Sequence, residues 1–383
     1  MKQNNKFAKK SIAVHKKLRG KISVTPKAKV LNKEDLSIYY TPGVGAVSTY
    51  VATHKKETKE YTMKGNMVAV VSDGSAVLGL GNIGPEGALP VMEGKSMLFK
   101  ALAGVDAFPI VLATQDTEEI IQTVKNIAPG FGGINLEDIA APRCFEIEER
   151  LQKELDIPVL HDDQHGTALV VLAGLINAFK VAKKDPQKSE IVIAGAGAAG
   201  NAIAKLLMLY GVGNIILLDS QGILHRLRTD LGKHKQKLEL VKKTNQYNRS
   251  GGLDEALKDA DVFIGVSKAN TVTAAHIQSM APRAIVFALA NPVPEIMPDV
   301  ALKAGALVMA TGRSDFANQI NNSLGFPGIF RGALDHGVKS ITDQMLIQAA
   351  KNLAALVKKP TTDRIVPDTF DKKVVPAVAS AIR

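Results

Sequence analysis

The apolar run Ile191–Ala194 stops at Gly195-Ala196-Gly197-Ala198-Ala199-Gly200 and passes directly into the helix-compatible stretch NAIAKLLM. A strand, a tight glycine turn and a helix in that order constrain the chain strongly. Gly195 permits the turn, Gly197 lets backbone approach a pyrophosphate, and Gly200 lets the helix pack close to the strand. Ala198 and Ala199 open a helix whose free N–H groups face the charge. The next expected strand ends at Asp219, where a carboxylate accepts from ribose hydroxyls and favours NAD. His225, Arg226, Arg228 and neighbouring lysines could instead reach the 2′-phosphate of NADP, so both cofactors stay open.

Around this motif, short apolar runs alternate with helix-like segments from about residue 66 onward, the βαβ pattern of an α/β chain. The first half offers Met67–Val71, Pro109–Ala113, Phe131–Leu136 and Ile157–Leu160. A long apolar helix, Gly166–Ala182, runs into the polar stretch at 183–190, and five more strands follow. These are Ile191–Ala194, Asn214–Leu218, Asp261–Val266, Ala284–Leu289 and Ala306–Ala310. The expected fold is an N-terminal α/β domain with a short parallel or mixed sheet, residues 1–160. A doubly wound Rossmann NAD(P)-binding domain, residues 161–383, follows with the C-terminal helices. The segment 225–249 reads as an exposed basic helix or loop.

The net charge of +11 is concentrated at the start, where residues 1–30 hold ten Lys/Arg and no acid. The remainder is close to neutral, which argues against a broad nucleic-acid face. No apolar run reaches the ~18 residues needed to cross a bilayer, Ala168–Ile176 being followed by Asn177. The basic start lacks an apolar core, so neither a secretory signal nor membrane insertion is expected, and the cytoplasm is the expected compartment. The single cysteine, Cys144, cannot close an internal disulfide and reads as a small buried hydrophobe.

Two acidic pairs, Glu137-Asp138 and Asp162-Asp163, fall at the ends of expected strands. Like charges brought together raise one another's pKa and destabilise the fold unless a cation or donor compensates. All-oxygen donors point to Mg²⁺ or Mn²⁺; separately solvated or helix-capping acids are the plain alternative. A second glycine match, Gly79-Leu80-Gly81-Asn82-Ile83-Gly84, lacks the direct strand and clean helix of the first. It reads as a loop where backbone approaches a ligand or another strand.

Several longer motifs resemble those of malic enzymes: YYTPGVG at 39–45, VVSDGSAVLGLGNIG at 70–84, LPVMEGKSMLFKALAGVDAFP at 89–109 and NLEDIAAPRCF at 135–145. HDDQHGTALV at 161–170, ALANPVPE at 288–295 and NNSLGFPGIFRGALD at 321–335 continue the series. The resemblance spans about residue 15 to 383, at a length similar to the short bacterial form. It implies divalent-metal-dependent oxidative decarboxylation of malate to pyruvate with NAD or NADP, by a homodimer. Carried over residue by residue, it implies Tyr40 as general acid, with Tyr39 as rival, and Lys95 as general base partnered by Asp162. It further implies Glu137, Asp138 and Asp163 as metal ligands, and Asn291 and Asn322 at the substrate, with Asn291 also bordering the cofactor. Where long eukaryotic forms carry arginine, this chain has Ala76, so recognition of the substrate carboxylate must differ.

Two other readings compete. An amino-acid dehydrogenase would also place a smaller α/β domain before a Rossmann domain, but needs no paired acids. A non-enzymatic nucleotide-sensing or RNA-binding protein could use the basic first thirty residues, but no pattern of stacking aromatics supports it. A malolactic variant of the malic enzyme reading is a third.

Overall fold

The structure, a computed structural model, describes residues 2–77, 79–233 and 235–383. The first sheet contains β1 (Met67–Ser72), β2 (Asp106–Val111), β3 (Gly133–Leu136) and β4 (Val159–His161), in the order β2-β1-β3-β4 and wholly parallel. Parallel neighbours require crossovers, and the helices Gly84–Ala103, Thr117–Ile127 and Arg143–Glu154 supply them. Both faces are therefore covered. In β1, Val68 and Val70 enter one core, whereas Ala69 and Val71 enter another with Ile134 and Leu136. A strand buried on both sides reads as an unbroken apolar run, which explains why MVAVV shows no alternation.

The second sheet contains β5 (Glu190–Ala194), β6 (Asn214–Asp219), β7 (Gly222–Ile223), β8 (Val262–Gly265), β9 (Ile285–Ala288) and β10 (Val308–Thr311). Its order is β10-β9-β8-β5-β6-β7, parallel except for the short β6–β7 hairpin, which the apolar pattern had not shown. Strand order reverses at β5. The glycine turn follows that strand, so the crevice of a doubly wound sheet opens directly above it.

Helix Asp162–Ala182 lies between the two sheets. Val68 and Val70 of the first sheet share one core with Leu169 and Leu172 of this helix and with Ile193 and Phe287 of the second. At 21 residues it has the length and composition to cross a membrane, contrary to the sequence reading, but 72% of its apolar window is buried inside the molecule. Its polar interruption is satisfied internally: Asn177, fully buried, donates to Ala354 O and Ile365 O, each at 2.9 Å. The basic segment contains helix Lys235–Lys243, which buries Leu240 and Val241 and is thus only partly exposed.

The N-terminal region behaves differently. From residue 7 to residue 67 no residue is buried, although the helices Lys33–Tyr39 and Val44–Thr53 lie within it. Phe7, Ile12, Leu18, Leu31, Leu36 and Ile38 are among its exposed apolar side chains.

Candidate active site

Strand register brings the two acidic pairs together. In the β3–β4 ladder Leu136 faces His161, so the residues that follow, Glu137-Asp138 and Asp162-Asp163, emerge side by side at the carboxyl edge of the sheet. Asp162 and Asp163 form the first turn of the long helix, where the macrodipole favours negative charge. Ligand-capable oxygens of Glu137, Asp138 and Asp163 lie within 4.8 Å of one another. Asp138 turns the chain through the left-handed region at φ 54°, and its N–H donates to Asp163 Oδ2 at 2.8 Å. That turn aims the second acid of the pair back toward the helix.

Lys95, on helix Gly84–Ala103, reaches the acids from the opposite side. Its ammonium donates to Glu137 Oε1 at 2.6 Å and to Asp162 Oδ2, and lies 4.3 Å from the centre of the Phe326 ring. Asn135 Nδ2 holds the other Glu137 oxygen at 2.9 Å. Burial would lower the Lys95 pKa, but Asp162, Glu137 and Asp163 outweigh it and hold the ammonium above the usual lysine range. The acids suffer the converse. Burial pushes Asp162 up to about 6 against the pull of Lys95, and raises Glu137 with help from Asp163. Three carboxylates, Glu137, Asp162 and Asp163, act on the one ammonium of Lys95, an excess of negative charge that a hard divalent cation at Glu137, Asp138 and Asp163 would neutralise. The donor set therefore fits Mg²⁺ or Mn²⁺. Gly166 makes the crowding possible: a Cβ there would stand 1.8 Å from Asp162 Oδ1.

Above β5, the glycine turn has the shape its sequence requires. Gly195 adopts φ +116°, and a Cβ on Gly200 would stand 1.7 Å from Gly195 O, so the helix packs onto the turn only as glycine. A Cβ on Gly197, by contrast, would meet nothing within 4 Å, because that position faces open space. Asn201, which sequence reasoning missed, donates Nδ2 to Ala196 O and Gly197 O at 2.8 Å and locks the turn. A cavity of about 680 Å³ runs from here to Asp219, Ser220 and Lys237. The cradle fits a dinucleotide, with one modification. Asp219 accepts from Arg228 at 2.7 and 3.1 Å and from Lys237 at 2.6 Å, so neither oxygen is idle. Burial would raise its carboxyl, but these two cations outweigh it and hold the pKa at about 2.

A second cleft, of about 880 Å³, contains Lys95, Glu137, Asp138 and Asp163, and is bordered by Gly197, Ala198 and Ala199 of the glycine turn. Asn291, Asn322 and Lys21 line it as well. The second glycine motif finds its use here: a Cβ on Gly79 would stand 1.8 Å from Asn291 O, so this loop is where the two halves of the chain meet backbone to backbone. Tyr40 lies elsewhere. It is 64% exposed, at the end of helix Lys33–Tyr39, and Tyr39 is 54% exposed; neither lines the cleft of its own chain.

Residues 19–152 match the malic enzyme N-terminal domain and residues 164–382 the malic enzyme NAD-binding domain. The chain is 54% identical over 374 residues to a bifunctional malic/malolactic enzyme of Bacillus subtilis, covering 97% of this chain and 91% of that protein. It is 54% identical over 365 residues to an NAD-dependent malic enzyme of Geobacillus stearothermophilus, covering 95% and 76%. The crystal structure of an NAD-dependent malic enzyme from Thermotoga maritima superposes with a TM-score of 0.93 at 48% identity, over 97% of this chain and 98% of that one. Since two family domains in sequence, close relatives over 91% and 76% of their lengths and the fold of a solved member all agree, the chain belongs to the malic enzyme family.

Proposed function

We propose that the protein oxidises malate and decarboxylates it to pyruvate and CO₂, using NAD or NADP and a divalent cation. One observation carries this reading: the acid trio and Lys95 share a single cleft with the turn that would hold a nicotinamide cofactor. Glu137, Asp138 and Asp163 would hold the metal, and Gly195, Gly197, Ala198, Ala199 and Gly200, with Asp219, the dinucleotide. When bound, the cofactor supplies the hydride acceptor and the cation the Lewis acid that polarises the substrate's C2 oxygen.

The chain's own groups bind, orient and move protons. Lys95 Nζ contacts Glu137 and Asp162, and Asp162 fixes its direction. Between Asp162 and Glu137 it keeps its proton, so acting as base on the C2 hydroxyl requires substrate binding to draw Glu137 away from Lys95 Nζ. Asn291 and Asn322, which line the same cleft, would offer amide donors to the substrate. Lys21, whose ammonium donates to Pro90 O at the cleft wall, is a cation within the cleft for the second carboxylate where Ala76 supplies none.

Tyr40 would protonate C3 of the enol after CO₂ leaves. Its position outside its own chain's cleft is reconciled by a homodimer in which the N-terminal region docks on a second copy. A segment that forms helices yet buries nothing leaves its apolar faces unanswered, and a second copy would cover them. The test mixes Tyr40→Phe and Lys95→Ala proteins, each inactive alone. Shared sites would restore activity in the mixture, whereas a monomer, or no restoration in mixed dimers, would refute the arrangement.

A further inference from the structure

Beneath the cleft lies an acid that neither the metal nor the proton transfers require. Glu295 is 0% exposed. Its Oε1 accepts from Ser267 N at 2.8 Å and Ser267 Oγ at 3.3 Å, and its Oε2 from Ala290 N at 3.0 Å. These donors are all neutral, and they belong to two different loops, one following β8 and the other following β9. The backbone of the same segment closes a second tie, since Val272 N donates to Glu295 O at 3.0 Å and Asn270 N to Pro294 O at 3.1 Å. The carboxylate also occupies a space cut for it: a Cβ on Gly265, the last residue of β8, would stand 2.4 Å from Glu295 Cδ.

What the two loops carry gives the clamp its meaning. Val266, Ser267, Ala290 and Asn291 line the cleft that holds the acid trio, and Ser267 also borders the cavity that contains Asp219. With the glycine turn above β5 and Asp219 at the end of β6, the adenosine half of a dinucleotide falls on the β6 side. The nicotinamide half then falls over β8 and β9, on the other side of the switch point.

We propose that Glu295 is a positioning residue which fixes the spacing of Ser267 against Ala290 and Asn291, and so shapes the nicotinamide end of the cleft. The proposal rests on the reading of this protein as a nicotinamide-dependent enzyme. A carboxylate suits the place because an amide does not. Three donors converge on two oxygens, and a Gln would turn an NH₂ group toward an N–H or O–H that has no other acceptor there, leaving a buried donor unsatisfied.

The test compares two ligands that share their adenosine and pyrophosphate parts, NADH and ADP-ribose, by calorimetric titration without malate or metal. Glu295→Gln is expected to weaken NADH by about tenfold, the consequence of one lost buried hydrogen bond, and to leave ADP-ribose within about twofold of the wild type. Gly265→Ala, which pushes on the clamp without removing its charge, is expected to show the same selective loss, and it supplies the answer if the first variant does not fold. Equal losses on both ligands, or no loss on either, would overturn the proposal, since a purely structural role does not distinguish the two halves of the cofactor. Failure of the wild-type protein to bind NADH at all would instead refute the functional reading on which the proposal rests.

Discussion

Replacing Gly197 by alanine should separate folding from cofactor binding. The residue has φ −83° and ψ −157°, extended backbone that alanine adopts without strain, and its new methyl would meet no protein atom within 4 Å. In the absence of ligand the variant should therefore stay within about 1 kcal/mol of the wild type, because restriction of the unfolded chain by alanine, about 0.4–1 kcal/mol, offsets the loss of glycine at the helix N-cap. Cofactor binding should suffer. The methyl fills the space through which a pyrophosphate approaches the turn, and holding the phosphate off by roughly a bond length costs at least one charge-assisted hydrogen bond, about 1.5–3 kcal/mol. That corresponds to roughly 10- to 100-fold weaker NADH binding, read by fluorescence titration alongside urea unfolding of the free protein. Gly200→Ala is the contrast: its Cβ would stand 1.7 Å from Gly195 O, so stability should fall by about 1–3 kcal/mol and binding should fall with it. If Gly197→Ala bound NADH as tightly as the wild type, the pyrophosphate would not lie against this turn.

Asp163→Asn should abolish the thermal stabilisation that saturating Mn²⁺ gives the wild type, about 2.7 kcal/mol at a hundredfold excess over Kd, as read by scanning calorimetry with and without the ion; equal stabilisation of both proteins would exclude the acid trio as the site. Lys237→Gln should raise the KM for NADP more than that for NAD, because it removes a cation beside the adenosine cavity and leaves Asp219 Oδ2 with the longer Arg228 bond at 3.1 Å; steady-state kinetics with the two cofactors decide it, and equal changes would contradict it. The Asp219 carboxyl, held at about 2, is depressed below its unfolded value of ~3.9. Its pairing therefore stabilises the fold fully above pH ~4 and less as pH falls toward 2, so Asp219→Asn should cost about 1 kcal/mol at pH 7, allowing for solvent screening, and the gap should narrow through that window. A gap that widened on acidification would refute the assignment.

Much of the architecture was legible because it rests on local chemistry. The strand, glycine turn and helix at Ile191–Gly200 are dictated by backbone conformations that few residues permit, and the structure adopts them. The runs around β1 and β9 were visible because strands buried on both faces are apolar throughout. Convergence of the acidic pairs was less accessible. It follows from the pairing of Leu136 with His161, a tertiary register that no local pattern encodes. Asp219 was correctly placed at a strand end, but its occupation by Arg228 and Lys237 depends on how the chain from 225 to 237 folds back. Asn201, Phe326 and Glu295 passed unnoticed because a single asparagine, phenylalanine or glutamate carries no periodic signal. For Glu295, an acid closing the segment ALANPVPE was the one available hint. The exposure of Tyr40 was also beyond the sequence, since nothing in YYTPGVG specifies where the ring lies relative to the cleft.

In the proposed reaction Glu137, Asp138 and Asp163 would hold a metal facing the nicotinamide of a dinucleotide whose pyrophosphate lies on the glycine turn. The direct measurement follows cofactor reduction at 340 nm with malate, with and without Mn²⁺, while pyruvate and lactate are assayed in the same mixture. Malate-dependent reduction that requires the metal and yields one pyruvate per reduced cofactor is the predicted result. Reduction undiminished by chelation, or malate consumption that gives lactate with no net cofactor reduction, would contradict it.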